Sequence, residues 1–307
     1  MRTDTLRQDP APIVPAPSNE AAFTVFVAGG WAGRSRSIAR VPKVELPGTE
    51  LHYERAGAGE PLLLIQGLSA NHMAWGRPFS SLLERSFDVV SFDNRGMGLS
   101  RRVTEAFSIA EMAADTLALL DALEIERAHV LGISMGGMIA QELALAHPER
   151  LRSLIIGCSY CGGAGSQTMD QADFQGLVEA MASGDAQRVY RAMYELNLSP
   201  GFRADESRYA EFVEMAEALP ASRETIGLQL QAIFAHDTSA RLPDLAVPTL
   251  VIHGTLDRVL GYPNGPLIAS LIPGARLETF DDVGHIFWWE QPERTADLVR
   301  DHALTPA

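Results

Sequence analysis

The chain has 307 residues, 46% of them hydrophobic, which is enough apolar material for one large domain or for a domain that carries an insertion. Lys and Arg together number 25 against 39 Asp and Glu, so the formal net charge is −14. An acidic surface repels the phosphates of nucleic acids and anionic lipid headgroups, so neither nucleic acid nor a membrane is an expected partner. No uncharged apolar run reaches the roughly 18 residues that a membrane-spanning helix needs, and we expect a soluble, cytoplasmic protein.

The first 42 residues differ in composition from the rest of the chain. They begin with MRTDTLRQDPAPIVPAPSNE, which combines early acids with a run rich in proline and alanine. Sequence of this kind buries too little apolar surface to offset the entropy of ordering it, so we predict a flexible N-terminal extension over residues 1–42. A cleaved secretory leader is the alternative, but the acids and the short, late apolar stretch fit it badly.

From residue 43 onward the chain is rich in strand patterns. KVELPGTELHY (43–53) alternates apolar and polar residues around Pro-Gly, which predicts an antiparallel hairpin with one buried face. Six further runs are apolar with little alternation, as expected of strands that are covered on both faces. These predicted strands are PLLLIQG (61–67), DVVSFD (88–93), HVLGIS (129–134), LRSLIIGC (151–158), TLVIHG (249–254) and ARLETF (275–280).

Helical patterns separate most of these strands. The clearest begins at Ser108, where S-I-A-E forms a capping box and apolar residues then recur on one helix face. Parallel neighbours need a connection of helix length, so the alternation of strands and helices predicts an α/β fold. We expect a mostly parallel central sheet with helices on both faces and right-handed crossovers.

One interval, residues 162–240, contains helical patterns but no convincing strand. We therefore predict a helical insertion there, within a core formed by residues 43–161 and 241–307. An insertion that follows a parallel strand emerges at the carboxyl end of the strand, where ligands bind in such sheets, so this segment is placed to act as a lid. An ordinary helical layer far from any ligand is the alternative.

The chain has two cysteines, Cys158 and Cys161, spaced C-x-x-C. No second pair of Cys or His completes a four-ligand zinc site, and the motif does not open a helix as a redox motif does. We interpret them as ordinary thiols after a buried strand. No metal and no cofactor is expected.

The stretch HVLGISMGGMIA (129–140) predicts a strand, a tight turn and a helix in succession. Glycines two residues before and two after Ser134 relieve the crowding of such a turn. The hydroxyl of Ser134 would then project from the end of the strand, beside the first N–H groups of the new helix. A serine that merely caps the helix is the alternative, whereas neither of the phosphate-binding patterns G-x-x-x-x-G-K-S/T and G-x-G-x-x-G occurs here.

A serine hydroxyl is a weak nucleophile at neutral pH, so it needs a base and a group that orients the base. Asp257 lies in the loop after the strand TLVIHG, and His285 lies in the loop after the last strand. The order Ser, Asp, His at strand carboxyl ends can bring these three residues together. Asp281 and Asp282 are the alternatives to Asp257 but fit a strand-end turn better. His253 is more typical of a buried core histidine than of a base.

Two backbone N–H groups are candidates for holding the oxyanion of the reaction. The N–H of Met135, at the start of the new helix, is the first. The second is expected from the loop after PLLLI, where Gly67 would let the backbone approach a ligand and Leu68 N–H would face it.

Four aromatic residues flank the mouth of this predicted site: Trp75, Phe287, Trp288 and Trp289. They suggest an apolar pocket for an acyl group or a ring, with Trp75, Phe287 and Trp288 as its candidate lining. Simple core packing is the alternative.

Four ordered segments resemble the α/β-hydrolase family: GISMGGMIAQELALAHPERLRSLI, FDNRGMGLS, PTLVIHGTLDRVL and GHIFWWEQPE. The resemblance extends over about residues 43–303 and is greatest to small bacterial esterases and lactonases related to 3-oxoadipate enol-lactonases. It implies that Ser134 is the nucleophile, Asp257 the orienting acid and His285 the base, with Leu68 and Met135 forming the oxyanion hole. The chain departs from many members at Gln66, where they carry histidine before the glycine.

This resemblance implies a cofactor-free serine hydrolase that acts on a small-molecule carboxylic ester or lactone. Enol-lactone opening and carbon–carbon bond hydrolysis on the same triad are alternatives, and a haloperoxidase side activity is compatible with it. A non-catalytic small-molecule receptor with this fold is an alternative of a different class. The sequence leaves the natural substrate open, and it leaves the oligomeric state open between monomer and homodimer.

Overall fold

An eight-stranded sheet runs through residues 42–305, which are the residues that this computed structural model describes. The predicted N-terminal extension therefore lies outside the described residues, except for Pro42. The strands are β1 (Lys43–Leu46), β2 (Thr49–Gly57), β3 (Glu60–Ile65), β4 (Phe87–Phe92), β5 (Ala128–Ile133), β6 (Leu151–Gly157), β7 (Thr249–Gly254) and β8 (Arg276–Phe280).

The strand order is β1-β2-β4-β3-β5-β6-β7-β8. The pairs β1–β2 and β2–β4 are antiparallel, and every later pair is parallel. The hairpin predicted around Pro47-Gly48 is present as β1 and β2. The six later predicted strands are also present, within one or two residues of their expected ends.

Helices cover both faces of the sheet. They are α1 (Arg77–Leu83), α2 (Ile109–Ala122), α3 (Met135–Ala146), α4 (Gln171–Ala182), α5 (Ala186–Asn197), α6 (Pro200–Arg203), α7 (Ser207–Ala218), α8 (Arg223–Phe234), α9 (Asn264–Leu271), α10 (Phe287–Glu290) and α11 (Pro292–Leu304), with short 3₁₀ helices at His72–Trp75, Pro148–Arg150 and Leu242–Asp244. The α/β fold with a mostly parallel sheet is confirmed.

Alternate residues of the central strands enter two separate hydrophobic cores, because successive side chains of a strand point to opposite faces. On β5, Val130 packs with the core beneath α2, α3 and α9, whereas Leu131 packs with the core beneath α1, α10 and α11. Both side chains are fully buried. This double burial explains why these strands have apolar runs without alternation.

The helix predicted from Ser108 begins there with the expected reciprocal cap. The Ser108 hydroxyl accepts the backbone N–H of Glu111 at 3.1 Å, and the Glu111 carboxylate accepts the N–H of Ser108 at 2.8 Å. Two N–H groups that the helix itself cannot pair are thereby satisfied.

Five helices, α4 to α8, connect β6 to β7, and the described residues between those strands form no strand. Tyr194, Leu198 and Phe212 of this connection form a small buried cluster, against which Ile286 and Trp289 pack. The division of the chain at residues 162 and 240, and the role of this segment as a lid, stay predictions. We refer to α4–α8 below as the cap segment. None of the helices within residues 42–305 is long and apolar enough to cross a membrane.

Candidate active site

Ser134 occupies the sharp turn between β5 and α3. Its backbone has φ 54° and ψ −123°, a conformation that costs energy for any residue other than glycine. The two flanking glycines are required by close packing, since a Cβ at Gly132 would overlap the carbonyl oxygen of Gly136. A Cβ at Gly136 would overlap the carbonyl oxygen of Ile65 on the neighbouring strand β3. The structure therefore has the strained turn that the glycine spacing predicted.

Hydrogen bonds to the backbone of Ser134 hold this turn in place. Ser134 N–H donates to the carbonyl oxygen of Gly157 at 2.9 Å, and the Ser159 hydroxyl donates to the Ser134 carbonyl oxygen at 2.8 Å. Met135 is the first residue of α3, so its N–H has no acceptor within the helix. That N–H is available to an oxyanion beside Ser134.

The loop after β3 lies against the serine. A Cβ at Gly67 would be 3.0 Å from Ser134 Cβ and 3.4 Å from Ser134 Oγ, so only glycine leaves this space open. Leu68 follows directly and is partly exposed. The backbone is fixed from behind, because the Asn94 side chain donates to the Gln66 carbonyl oxygen at 3.0 Å. The structure thus brings the loop that carries Leu68, as well as Met135, next to the predicted nucleophile.

Asp257 and His285 form a buried hydrogen-bonded pair. His285 Nδ1 lies 2.7 Å from Asp257 Oδ2, and an ionised carboxylate can only accept, so Nδ1 donates and Nε2 keeps a free lone pair. Asp257 Oδ1 accepts the backbone N–H groups of Val259 at 2.8 Å and Leu260 at 2.9 Å. The carboxylate is therefore held on both oxygens.

His253 is a second imidazole beside this acid. It is fully buried, its Nε2 donates to the Leu260 carbonyl oxygen at 2.7 Å, and the same nitrogen lies 3.0 Å from Asp257 Oδ2. Burial by itself would raise the pKa of Asp257, but His285 and His253 stabilise the carboxylate and hold its pKa well below the usual range. The sequence indicated a core histidine here and did not indicate its contact with the acid.

The three predicted residues follow β5, β7 and β8, and all three strands run parallel. Their carboxyl ends meet at one edge of the sheet, so Ser134, Asp257 and His285 share that edge. Asp257 and His285 are in direct contact, whereas Ser134 Oγ makes no hydrogen bond to His285 within the described residues. Such contacts are often long in ligand-free sites and shorten when substrate binds. Asp281 and Asp282 are exposed.

Glu290 ties the histidine-bearing loop to the cap segment. Its Oε1 accepts the backbone N–H groups of Gly284 and Ser199, both at 2.9 Å, and its Oε2 accepts the Ser199 hydroxyl. Burial raises the pKa of Glu290, although these hydrogen bonds favour the ionised form. In the same region Ile286 N–H donates to the Asn197 carbonyl oxygen at 3.1 Å. The residues on either side of His285 are therefore both held: Gly284 bonds to Glu290, and Ile286 bonds to Asn197 of the cap segment.

Trp75, Phe287 and Trp288 belong to one of the two hydrophobic cores and are at most 3% exposed. Trp75 and Trp288 pack with ring centroids 5.5 Å apart, and Trp288 Nε1 donates to the Ala74 carbonyl oxygen. Phe287 packs so closely on Gly157 that a Cβ there would lie 2.7 Å from its ring. These contacts are those of core residues, and a role in lining a pocket stays a prediction. Trp289 is partly exposed and donates to the same Ala74 oxygen.

The two cysteines are buried and unpaired. Burial, and next the charge of Asp257, raises the pKa of Cys158 well above its usual value, so its reactive thiolate form is disfavoured. Among the described residues one group, His52, His72 and Asp93, brings possible metal ligands within 4.8 Å of one another. It contains no candidate site residue, and the Asp93 carboxylate already accepts the backbone N–H groups of His72 and Leu99.

Known proteins resemble this chain in both sequence and structure. The sequence model of the alpha/beta hydrolase fold matches residues 60–292. RutD of Azorhizobium caulinodans, a relative named for carbamate hydrolysis, is 33% identical over 78% of this chain and 89% of its own length. The 2-hydroxymuconate semialdehyde hydrolase of Pseudomonas sp. (strain CF600) is 31% identical over 82% of this chain and 89% of its own. The enol-lactonase from Burkholderia xenovorans LB400 superposes with a TM-score of 0.75 at 26% identity, covering 86% of this chain and 100% of that one.

Proposed function

Since the chain belongs to the α/β-hydrolase family, as its motifs predicted, we propose that it is a serine hydrolase of carboxylic esters or lactones. Ser134 is the nucleophile, His285 the general base and Asp257 the acid that orients it. The observation that carries the proposal is the buried His285–Asp257 hydrogen bond of 2.7 Å at the sheet edge where Ser134 occupies its strained turn.

In the first step Ser134 Oγ attacks the carbonyl carbon of the substrate and its proton passes to His285 Nε2. Asp257 stabilises the imidazolium that forms and keeps the ring in the required tautomer. The carbonyl oxygen becomes an oxyanion, which accepts hydrogen bonds from Met135 N–H and Leu68 N–H. His285 then gives its proton to the leaving alkoxide, so the alcohol departs and an acyl-enzyme remains.

Water completes the cycle by the same route. His285 Nε2 takes a proton from the water as it attacks the acyl-enzyme, and returns that proton to Ser134 Oγ as the acid is released. In a lactone the alcohol and the acid are parts of one molecule, so the product is a single hydroxy acid. Each oxyanion donor is worth about 10²–10³ in rate in other hydrolases, so Leu68 and Met135 matter through their backbone alone.

The choice of ester or lactone is supported by the solved enol-lactonase among the similar structures. The relative that acts on 2-hydroxymuconate semialdehyde, a compound without an ester bond, makes carbon–carbon bond hydrolysis the second candidate. Both reactions would use Ser134, His285 and Asp257, so only activity on defined substrates can tell which bond the protein cleaves.

Active-site labelling tests the nucleophile. We expect a fluorophosphonate to add one covalent adduct to the protein, located on Ser134 by peptide mass spectrometry. Ser134→Ala should remove the adduct completely, and His285→Ala should slow its formation by at least about 10³-fold, because the hydroxyl then lacks its base. Circular dichroism of each variant checks that it is folded.

Steady-state hydrolysis then separates the reaction classes. Release of acid from short p-nitrophenyl esters or from γ-lactones by the wild type, absent in Ser134→Ala, supports the proposal. A folded wild type that is neither labelled nor active on any ester would instead favour a receptor. Labelling of Ser134 with turnover of a vinylogous 1,5-diketone only would move the assignment to carbon–carbon hydrolysis.

A further inference from the structure

His253, near the carboxyl end of β7, lies beside Asp257 but takes no part in the proposed proton transfers. Its side chain is fully buried, and its Nε2 lies 2.7 Å from the Leu260 carbonyl oxygen and 3.0 Å from Asp257 Oδ2. A carbonyl oxygen can only accept, so Nε2 carries a proton. Nδ1 is buried and has no hydrogen-bond partner within residues 42–305. The neutral ring with its proton on Nε2 is therefore the form that fits this position.

One oxygen of the acid thus faces two imidazole N–H groups. Asp257 Oδ2 accepts the Nδ1–H of His285 at 2.7 Å, and the N–H of His253 lies beside the same oxygen. The shorter contact of His253 is with the Leu260 carbonyl oxygen, so its N–H acts on Asp257 from the side. The positive end of an N–H dipole beside a carboxylate offsets part of the negative charge.

The ring of His253 also closes the loop that carries the acid. Leu260 N–H donates to Asp257 Oδ1 at 2.9 Å, and the carbonyl oxygen of Leu260 accepts from His253. Gly265 of α9 packs against the same ring, since a Cβ there would lie 2.7 Å from His253 Cβ. The ring therefore has little freedom to turn, and its N–H is kept beside Oδ2.

The other ionisable side chains on the surrounding elements have partners elsewhere or are neutral or exposed. Burial, and next the charge of Asp257, raises the pKa of Cys158, which favours the neutral thiol. Tyr262 lies edge-on to His253 with ring centroids 6.1 Å apart, and its hydroxyl is bonded to Thr279 Oγ1. The charged groups are Arg258, bonded to Asp173, Glu290, bonded to Gly284 and Ser199, and the exposed Asp281 and Asp282. Besides the base, His253 is therefore the ionisable side chain that acts on the charge of Asp257.

We propose that His253 is a positioning residue, which keeps its N–H beside Asp257 Oδ2 and so limits how strongly this carboxylate holds a proton on His285. The proposal rests on the proposed hydrolase function, in which His285 must be unprotonated to accept the proton of the nucleophile. Without the N–H of His253, the charge of Asp257 would favour the imidazolium form of the base more strongly. The base would then stay protonated, and inactive, up to a higher pH.

The pH dependence of kcat/KM tests this role, because its acid limb reports protonation of the base in the free enzyme. Hydrolysis of a short p-nitrophenyl ester is followed at the isosbestic wavelength of the phenol. We expect His253→Phe, which keeps a ring but has no N–H, to move the midpoint of the acid limb upward by about 0.5 pH units or more. His253→Leu also lacks the N–H and should move the midpoint in the same direction.

Two further variants separate the N–H from support of the loop. His253→Gln places an amide N–H near the position of Nε2 and should keep the midpoint of the wild type. Tyr262→Phe is the matched control, since it removes a hydroxyl next to His253 that is not bonded to the acid, and it should leave the midpoint unchanged. A residue that only supports the loop would lower kcat/KM by one factor at every pH. Circular dichroism at each pH checks that the variants are folded.

A measurement on the wild type tests the position of the proton without any assay of activity. In protein labelled with ¹⁵N-histidine, two-bond ¹H–¹⁵N correlation spectra distinguish the two tautomers of each imidazole. The signals of His253 are identified by their loss in His253→Gln. We expect His253 to be the neutral tautomer with its proton on Nε2 at neutral pH.

Three results would overturn the proposal. They are an unchanged midpoint in the folded apolar variants, an equal upward shift in His253→Gln, and a His253 ring that is charged or carries its proton on Nδ1. A wild type that neither hydrolyses esters nor reacts with a fluorophosphonate contradicts the hydrolase function instead. The tautomer of His253 is measured in either case, so the two failures are distinguishable.

Discussion

At the scale of single residues, three glycines determine the space around Ser134, and they do so in two different ways. Gly132 and Gly136 allow the strand and the helix to approach each other, so their replacement would disrupt the turn itself. Gly67 instead leaves room beside the hydroxyl, since a Cβ there would lie 3.4 Å from Ser134 Oγ. In the proposed mechanism, the substrate carbonyl enters this room to reach the proposed donors at Leu68 and Met135.

Replacing Gly67 tests this reading of the space. We expect Gly67→Ala to lower kcat at least about tenfold, because the added methyl displaces Ser134 or the oxyanion by tenths of an ångström, and donor geometry is steep on that scale. Steady-state kinetics on a short ester measure the effect.

The control is Gly176→Ala in α4, where a Cβ meets nothing within 4 Å. This control should keep kcat and gain about 0.5–1 kcal/mol of stability from helix propensity. An unchanged kcat in Gly67→Ala would contradict the assigned oxyanion loop.

At the scale of elements, the loop that carries His285 depends on the cap segment for its position. Gly284 N–H and Ser199 N–H share Oε1 of Glu290, while Ile286 N–H bonds to the carbonyl oxygen at the end of α5. A large movement of the Asn197–Ser199 part of the cap segment would break these bonds and displace His285, the proposed base. We therefore expect any opening of the predicted lid to leave this anchored part in place.

Removing the carboxylate tests that connection. Glu290→Ala leaves the N–H groups of Gly284 and Ser199 and the hydroxyl of Ser199 without their acceptor. We expect a loss of about 2–4 kcal/mol in the free energy of unfolding and a fall in kcat. Urea unfolding and steady-state kinetics measure the two effects. Glu214→Ala, an exposed change on α7, should alter neither. A variant as stable and active as wild type would show that His285 is held by other contacts.

Much of this element level was predictable from the sequence. The strands, the hairpin and the Ser108 cap follow from patterns among near neighbours in the chain, and these patterns act on the backbone directly. The hydrogen bonds of Glu290 to Ser199, and of Gln229 Oε1 in α8 to the N–H of Ser69 at 2.9 Å, were not predictable, although Glu290 lies in the quoted segment GHIFWWEQPE. Ser199 is 91 positions from Glu290, and Ser69 is 160 positions from Gln229. No local pattern encodes which distant N–H a side chain will meet.

At the scale of the whole molecule, buried histidines make stability depend on pH. His236 is 5% exposed, and burial lowers its pKa from 6.5 to about 4. The nearby acids Glu142 and Asp237 oppose this shift, while Arg241, which is paired with Glu142, supports it. The folded protein therefore keeps His236 neutral in a pH range where the unfolded chain binds a proton. In that range stability rises with pH.

We accordingly expect the free energy of unfolding to fall on acidification from about pH 6.5 to about pH 4, with His236 contributing about 3 kcal/mol of the loss. Urea unfolding at pH 7, 6, 5 and 4 measures it, and His236→Gln should show a smaller loss over the same range. His147→Gln, a change of a more exposed histidine, controls for the substitution. Equal pH dependence in wild type and His236→Gln would contradict the prediction.

The sequence by itself determined the α/β fold, the strained turn at Ser134 and the positions of Asp257 and His285 at strand ends. These features depend on backbone sterics and on the alternation of apolar residues over a few neighbours. Only the tertiary structure decided that His285 bonds to Asp257, that His253 also contacts this acid, and that Glu290 and Gln229 connect the cap segment to the loops that carry His285 and Leu68. Such contacts join residues far apart in the chain, so they exist only once the packing of the whole sheet and its helices has set the distances between them.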